Sequence, residues 1–577
     1  MIKKLFSYLG QYKKHIYLAA LFATLEAMFE LLIPLVMAKI VDDAIPSKSM
    51  PYTIKLGVLM ICMALISYTF GMLLSKHAAL AGQGLGANLR EAEYIKIQDY
   101  SFKNIEKFST ASLITRLTTD VTAIQNAVTI GSKLLVRAPI MLIFAMFLTI
   151  MISAKLALIF AVSLPILVIF LILLIKNVGP MFGKMQGKVD IMNTIVQENL
   201  IGVRVVKSFV RSTKEIAKFE KGTEDLRETA TKAYGLTVLA MPVMQILIYG
   251  TMVAILWFGG NMVYAGTMAV GELTSFLTYS TQILVALMLV AMSLMMISRS
   301  IASVKRIIEV LEEKPDIVDG AKAVSTVKNG DIEFKNVSFK YEDDNEEFDL
   351  TNINISIKSG ETIGIIGGTG SAKTSLVQLI PRLYDVNQGE VLVGGVNVKD
   401  YKLETLRNEV SMVLQKNTLF SGTIRENLMW GNENATQEQI DAACKAACVD
   451  EFLDRLPGGL DMDLGQGGAN VSGGQKQRLC IARAILKEPK VLILDDSTSA
   501  VDTATDAKIR KAFREDLANT TKIIIAQRVN SVCDADKIIV MDDGHIVAVG
   551  THDELMKSCL IYQEVYTSQK EGVGFDE

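Results

Sequence analysis

The chain has 577 residues, 50% hydrophobic and 21% charged, with a formal net charge of −3 and a mean hydropathy of +0.32. That length is too great for one core, the positive hydropathy argues against a soluble enzyme, and half-apolar content argues against disorder. The near-neutral charge gives no reason to expect a nucleic-acid partner. Six cysteines are no disulfide framework and read as reduced thiols of a cytosolic domain. Cys444 and Cys448 lie one helical turn apart but have no second pair or nearby histidine to make a metal site.

The two halves differ. Twenty-two of the 27 methionines precede residue 300, and so do nearly all long apolar runs. Six segments meet the roughly 20 apolar residues a bilayer crossing needs: 15–40, 54–75, 134–153, 156–175, 236–263 and 273–297. Lysine and arginine crowd the N-terminus and the connections after the second and fourth spans, while 153–155 carries one lysine and 259–274 none. Both termini and the two long connections are therefore expected on the cytoplasmic side of the cytoplasmic membrane. Residues 1–14 read as an amphipathic helix on the inner membrane surface, not as a cleaved signal peptide. The long connections keep helical periodicity, so the helices should continue well below the membrane, with tips near 109–120 and 206–213.

The pattern changes after Arg299. A polar, broken stretch over 315–330 suits a linker, which divides the chain into 1–320, a linker at 321–330, and 331–577. From 331, β-rich runs (331–338, 362–366, 411–414, 491–494, 522–526 and 537–541) alternate with helices, predicting a mostly parallel α/β sheet. The fold class is thus multidomain: an all-α polytopic membrane domain followed by an α/β phosphate-loop domain.

The run Gly364-Ile-Ile-Gly-Gly-Thr-Gly-Ser-Ala-Lys-Thr-Ser375 follows one such strand and opens a helix. It resembles the phosphate-binding loop G-x-x-x-x-G-K-[ST], with Ala372 where the pattern has glycine. Gly367, Gly368, Thr369, Gly370, Ser371 and Ala372 form a turn whose N–H groups, with the helix N-terminus, suit phosphate. Lys373 would reach the β/γ-phosphates and the Thr374 hydroxyl would hold Mg²⁺, with Ser375 beside it. Val491-Leu-Ile-Leu-Asp-Asp496 is an apolar strand whose Asp495 sits where a Mg²⁺-coordinating carboxylate belongs. Asn470-Val-Ser-Gly-Gly-Gln-Lys-Gln-Arg478 makes a second anion-binding helix start. Two such ends in one chain imply that one serves a phosphate held by another subunit.

On these motifs the chain resembles the ATP-binding cassette exporters over its whole length, in the half-transporter layout. The turn Ser472, Gly473, Gly474 and Gln475 matches the family's signature motif. Tyr341 matches the aromatic residue that stacks on adenine. Gln415, in Leu414-Gln-Lys-Asn-Thr-Leu-Phe420, matches the glutamine that joins the nucleotide and Mg²⁺ to the membrane domain. Ser499-Ala-Val-Asp502 matches the loop that crosses the dimer interface, and 109–120 and 206–213 resemble the two coupling helices. The resemblance implies two cassettes closed head to tail around two ATP molecules, each between one chain's phosphate loop and the other's signature turn.

The departures from the family pattern carry more. The family's general base is Glu, and here it is Asp496, whose carboxylate would fall roughly 1 Å short of the attacking water. The family's switch histidine is replaced by Gln527 in Ile524-Ile-Ala-Gln-Arg528, which carries neither proton nor charge. Gln466 stands where many exporters have Glu. Ala372, Asp496 and Gln527 all weaken one site, while the signature turn is intact. The expectation is the degenerate-site subunit of a heterodimeric exporter, whose partner half-transporter supplies Glu and His; a homodimer that is inactive or tolerates Asp and Gln is the alternative. Glu26 and Glu30 share a face of the first span and are candidates to meet a cationic substrate, whereas Arg137 reads as a headgroup or coupling residue. The membrane methionines favour amphiphilic drugs, lipids or peptides. Two other readings of the same scaffold stay open: an importer of a hydrophobic chelate, and a regulatory ATPase or channel that does not transport.

Overall fold

The computed structural model describes all residues except 321–322, 342–346 and 574–577. The chain forms two compact units, Met1–Gln98 with Ala111–Glu312, and Asp99–Thr110 with Glu313–Glu577.

The first unit is helical. Its long helices are α1 (Lys13–Lys39), α2 (Met50–Gln98), α3 (Val121–Ile152), α4 (Ala154–Ile201), α5 (Ser212–Tyr264) and α6 (Val270–Glu312). All six lie in stretches long and apolar enough to cross a membrane. At 49, 48 and 53 residues, α2, α4 and α5 are each more than twice the roughly 20 residues of one crossing. They run on beyond the bilayer as their unbroken periodicity requires. The helix expected over 1–14 is shorter: Ile2–Ser7, then a 3₁₀ turn Gly10–Tyr12 where Gly10 takes φ +49°.

Small residues set the packing of this unit. Ala19, Ala23, Ala27, Leu31, Pro34 and Ala38 form the buried stripe of α1, spaced three or four apart as one helix face demands. Among helices in lipid such residues let backbones approach closely. The Pro34 turn is tied to α6, since the Ser275 hydroxyl donates to the Pro34 carbonyl at 2.6 Å and the Tyr279 hydroxyl to that of Leu31 at 2.6 Å. Asp42 caps α6, accepting from the backbone N–H of Gly271 at 2.6 Å and of Glu272 at 3.1 Å. Below, Asp120 is buried and accepts from Arg306 through both oxygens and from Ser303 at 2.8 Å, which fixes α6 to the start of α3.

The second unit is built on strands β1 (Ile332–Phe339), β2 (Leu350–Ile357), β3 (Thr362–Gly367), β4 (Gln388–Val393), β5 (Val396–Asn397), β6 (Val410–Val413), β7 (Gly422–Thr423), β8 (Asp463–Leu464), β9 (Val491–Asp495), β10 (Thr521–Ile525), β11 (Lys537–Asp542) and β12 (His545–Gly550). The main sheet runs β12-β11-β3-β10-β9-β6, parallel except at β12. β9 and β10 are buried at every residue, as strands covered on both faces must be. All six expected strands are present. An antiparallel sheet β2-β1-β4-β5 was not expected: of its strands only β1 was marked, and it pairs antiparallel with β2 and β4 instead of joining the parallel sheet.

Two expected boundaries move. The first unit ends at Glu312 rather than 320, because α6 keeps Val304, Ile307 and Ile308 in a core to its last turns. The linker placed at 321–330 belongs to the second unit over its described part: Val324 pairs with Tyr401 and Val327 is buried. Residues 321–322 lie outside the described set. Residues 109–120 hold a short helix, Thr110–Thr115, and a π-helical turn, Arg116–Asp120, while Asp99–Thr110 groups with the second unit. It carries the helix Phe102–Phe108, started by a capping box between Ser101 and Asn104, a pairing outside the usual Ser/Thr with Glu/Gln signature. Near 206–213 the structure has a short helix, Val203–Ser208, followed by exposed Phe209 and Val210.

Close packing makes a test. A Cβ on Gly82 of α2 would lie 2.8 Å from the Gln125 carbonyl, whereas one on Gly57 of the same helix meets nothing within 4 Å. Gly82→Ala should destabilise the purified chain by about 1–3 kcal/mol, and Gly57→Ala should leave it unchanged or stabilise it, read as melting midpoints in detergent.

Candidate functional site

The parallel strands β3, β9 and β10 end close together, and the expected nucleotide residues follow their C-terminal ends. After β3 the chain makes the turn Gly368–Ala372 and enters α7 (Lys373–Gln378). Ala372 takes φ +64°, ψ +25°, the left-handed conformation that explains glycine in the usual pattern. A β-carbon there costs roughly 1–2 kcal/mol of local strain. The loop nonetheless forms: Lys373 Nζ donates to the carbonyls of Gly367 at 3.0 Å and Gly368 at 2.7 Å, and reaches Ser371 Oγ at 3.1 Å. Burial lowers the Lys373 pKa, against the opposing pull of Asp495 and Asp496.

Thr374 Oγ1 donates to Asp495 Oδ1 at 3.0 Å. The two residues expected to share Mg²⁺ are thus adjacent, one at the start of α7 and one at the end of β9. Asp495 is buried, which raises its pKa, with the Thr374 bond opposing and the Asp496 charge adding. A buried carboxylate next to a hydroxyl is a hard oxygen pair of the kind Mg²⁺ takes, and Mg²⁺ needs few protein ligands. Among the described residues no cluster of three or more acidic, histidine or cysteine side chains forms a self-contained metal cage.

Asp496 sits at φ +49°, its N–H bonded to the Ile525 carbonyl at 3.1 Å. Gln527 Nε2 donates to its Oδ2 at 2.7 Å. Burial raises the Asp496 pKa, and the Gln527 bond and the Lys373 charge pull it back. The two residues that depart from the family pattern, Asp496 and Gln527, are therefore direct partners.

Ser472 is the N-cap of α8 (Gly473–Ile485). Its Oγ accepts from the Gln475 N–H at 3.3 Å, and its own N–H donates to Gln475 Oε1 at 2.8 Å. The turn is exposed at Ser472 and Gly473. Gly474 lies against the next loop, and a Cβ there would sit 2.8 Å from the Ala500 carbonyl. Gln477, which sequence reasoning did not single out, holds that loop: its Oε1 accepts from the Ala500 N–H at 3.0 Å and its Nε2 meets Ser499 Oγ at 3.4 Å. Ser499 Oγ in turn donates to the Asp496 carbonyl at 3.1 Å. The signature helix and the Asp496 turn are thus linked inside one unit, and the hydrogen bonds of Ser472 stay within its own first turn.

Tyr341 comes to α7, where its hydroxyl lies 2.9 Å from Ser375 Oγ and 3.3 Å from Gln378 Oε1. Its ring is perpendicular to those of Phe339 and Tyr384. Tyr384 is a second residue the sequence did not mark.

In the first unit, Glu26 and Glu30 converge on one cation. Arg137 Nη1 lies 3.3 Å from Glu26 Oε1, and its Nη2 lies 2.6 Å from Glu30 Oε2. The expected role of Arg137 as a headgroup or coupling residue is corrected: a guanidinium on α3 opposite two carboxylates of α1 is neutralised by them, as charges within a membrane segment require.

Comparison with known proteins agrees with this geometry. Residues 16–287 match the family model for the ABC transporter transmembrane region, and 350–499 match that for the ABC transporter. The chain is 38% identical to the ABC transporter ATP-binding protein YfiB of Bacillus subtilis (strain 168), over 98% of both chains. It is 32% identical to the ATP-dependent lipid A-core flippase of Desulfotalea psychrophila (strain LSv54 / DSM 12343), over 87% of both. The solved structure of a bacterial Atm1-family ABC exporter with ATP bound has the same fold, with a TM-score of 0.83 at 23% identity, covering 96% of this chain and 99% of that one. With six apolar helices, a phosphate loop paired to a strand-end carboxylate and a signature helix, the chain belongs to the ATP-binding cassette transporters, as a multi-pass membrane protein of the exporter type with an ATP-hydrolysing domain.

Proposed function

We propose that this chain is one half of an ATP-driven exporter of amphiphilic small molecules, lipids or peptides. It sits in the cytoplasmic membrane with its termini and cassette on the cytoplasmic side. Its partner is a second, different half-transporter chain that supplies the Glu and His this one lacks. The Asp496–Gln527 pair carries this reading. Activating a water needs a base within hydrogen-bond reach, matched in pKa to its task. Asp496 is one methylene shorter than the family's Glu and already accepts from Gln527, and Gln527 cannot take over a proton. Thr374, Asp495 and Gln415 would hold Mg²⁺, which screens phosphate charge when bound. The site therefore holds ATP and turns it over slowly. Ser472 and the N–H groups at Gly473 and Gly474 serve the ATP on the partner's phosphate loop.

An amphiphilic cargo is supported by the methionine-rich membrane helices and by the relative that flips lipid A-core. The triad of Glu26, Glu30 and Arg137 keeps one surplus negative charge when both carboxylates are ionised, which suits a cationic head group.

The chain purified alone should hydrolyse ATP very slowly, measured as phosphate release in lipid nanodiscs; ordinary fast turnover there ends the degenerate-site reading. Asp496→Glu alone should raise that rate little, because Gln527 still grips the carboxylate. Adding Gln527→His should raise it by up to about 10²-fold, the scale of a misplaced base. If the single change does as much as the pair, the two departures are not coupled.

In the complex with its partner, Ser472→Ala should cut turnover by roughly 10²–10³-fold, as losing one donor to a developing oxyanion does. Its loss of a helix cap, about 1 kcal/mol, is checked by melting. Lys373→Ala should cost less. The reverse order of these two effects would move the working site to this chain.

A further inference from the structure

Inside the second unit, side-chain contacts lead without a gap from the phosphate loop to the helix Phe102–Phe108. Ser375 is buried in the first turn of α7. The Tyr341 hydroxyl donates to Gln378 Oε1 at 3.3 Å and lies 2.9 Å from Ser375 Oγ. With its one proton on Gln378, the Tyr341 oxygen takes the Ser375 proton. The Ser375 hydroxyl, next to the Lys373–Thr374 pair, is thereby turned to Tyr341. The Tyr341 ring stands at 90° to Tyr384 with centroids 5.0 Å apart, and Phe339 closes the other side at 4.9 Å. Tyr384 is buried, and its hydroxyl donates to Glu106 Oε1 at 3.0 Å while its ring meets Phe102. Glu106 and Phe102 belong to one helix, pinned at its start by Asn104 donating to Glu313 at 3.1 Å and by Ser101 bonding Asp316.

We propose that Tyr341 is a latch on Ser375 and that Tyr384 is the positioning residue that ties this latch to the helix Phe102–Phe108. The latch has two arrangements, with the Ser375 proton on Tyr341 or on a phosphate of the bound nucleotide. A phosphate at the start of α7 competes for that donor. Once it wins, Tyr341 loses its tie to Ser375 and keeps only the longer bond to Gln378 and its ring-edge contacts, and Tyr384, packed against it, has room to shift its bond to Glu106. Two equilibria that share one element are linked, and the linkage runs both ways. Nucleotide loosens the hold on Phe102–Phe108, and weakening that hold favours nucleotide. Contact between aromatic rings alone would predict no such effect, since removing a hydroxyl leaves the rings in place.

The inference rests on ATP binding at the phosphate loop. Displacement of a fluorescent ATP analogue by ATP, with EDTA present to stop turnover, measures that binding on the full chain in nanodiscs, and Lys373→Ala checks the loop independently. Tyr341→Phe keeps the ring and frees Ser375, so the Kd for ATP should fall by about 3- to 10-fold, the scale of one hydrogen bond. Tyr384→Phe and Glu106→Gln should each lower it by about 2- to 5-fold, and the double variant should do no more than either alone. An unchanged or raised Kd for Tyr341→Phe, or effects of Tyr384→Phe and Glu106→Gln that multiply, overturns the latch. A second measurement uses the unaltered chain: amide hydrogen exchange in Phe102–Phe108 should quicken on adding ATP. Exchange that stays the same or slows while ATP binds overturns it too.

Discussion

The parallel register of β3, β10 and β9 is the constraint on which the nucleotide site depends. Ile525 pairs with Asp495 on one side and Ile365 on the other, so β9 and β10 stop at one level and β3 runs two residues beyond it, to Gly367. Whatever follows them in sequence must meet in space. The Gly368–Ala372 turn, the Asp495–Asp496 pair and Gln527 come from positions far apart in the chain. They converge because ligands of open parallel sheets bind beyond the carboxyl ends of the strands. The apolar runs of β9 and β10 serve this by burial: a strand covered on both faces cannot slip without exposing its core.

Within that frame the electrostatics are set by burial and by a few short bonds. Asp495 is raised in pKa by desolvation, and its one side-chain hydrogen bond is the Thr374 hydroxyl. A cation shared by the two would relieve that cost, which is why the pair suits Mg²⁺ better than it suits isolation. Asp496 is different, because the Gln527 amide already serves it. One of its carboxylate oxygens is thus paired without a water or a phosphate. A carboxylate already bonded in the resting site gains less from moving toward a reacting group.

The membrane unit follows another rule. Its core has little hydrophobic driving force in lipid, so close approach of backbones and buried polar ties hold it together. The alanine stripe of α1 and the glycines of α2 permit the approach. Asp42 at the start of α6, Ser275 and Tyr279 on the Pro34 turn, and Arg306 on Asp120 supply the ties. Arg137 belongs to the same set: it forms ion pairs with two glutamates on α1, whose charges would otherwise be costly.

Periodicity and motif order alone determined six long apolar helices, a nucleotide-binding α/β domain, the phosphate loop, the strand-end carboxylates and the signature turn. These are local properties, since a glycine-rich turn, an apolar run or a helix cap is written in adjacent residues. The replacement of Glu and His by Asp496 and Gln527 was also legible, as a pair of departures. That the two are hydrogen-bonded to each other was not, because residues 31 positions apart meet only once β9 and β10 lie side by side. The same holds for the missed elements. Tyr384 and Gln477 act through distant partners, Glu106 and Ala500, and look like ordinary residues in sequence. That Asp99–Thr110 groups with the second unit was not legible, because its membership is decided by contacts with residues more than 200 positions away. The antiparallel sheet β2-β1-β4-β5 and the role of Arg137 were likewise left to the tertiary structure. Pairing across long sequence separations leaves no local pattern, and only the folded chain brings those partners within hydrogen-bond distance.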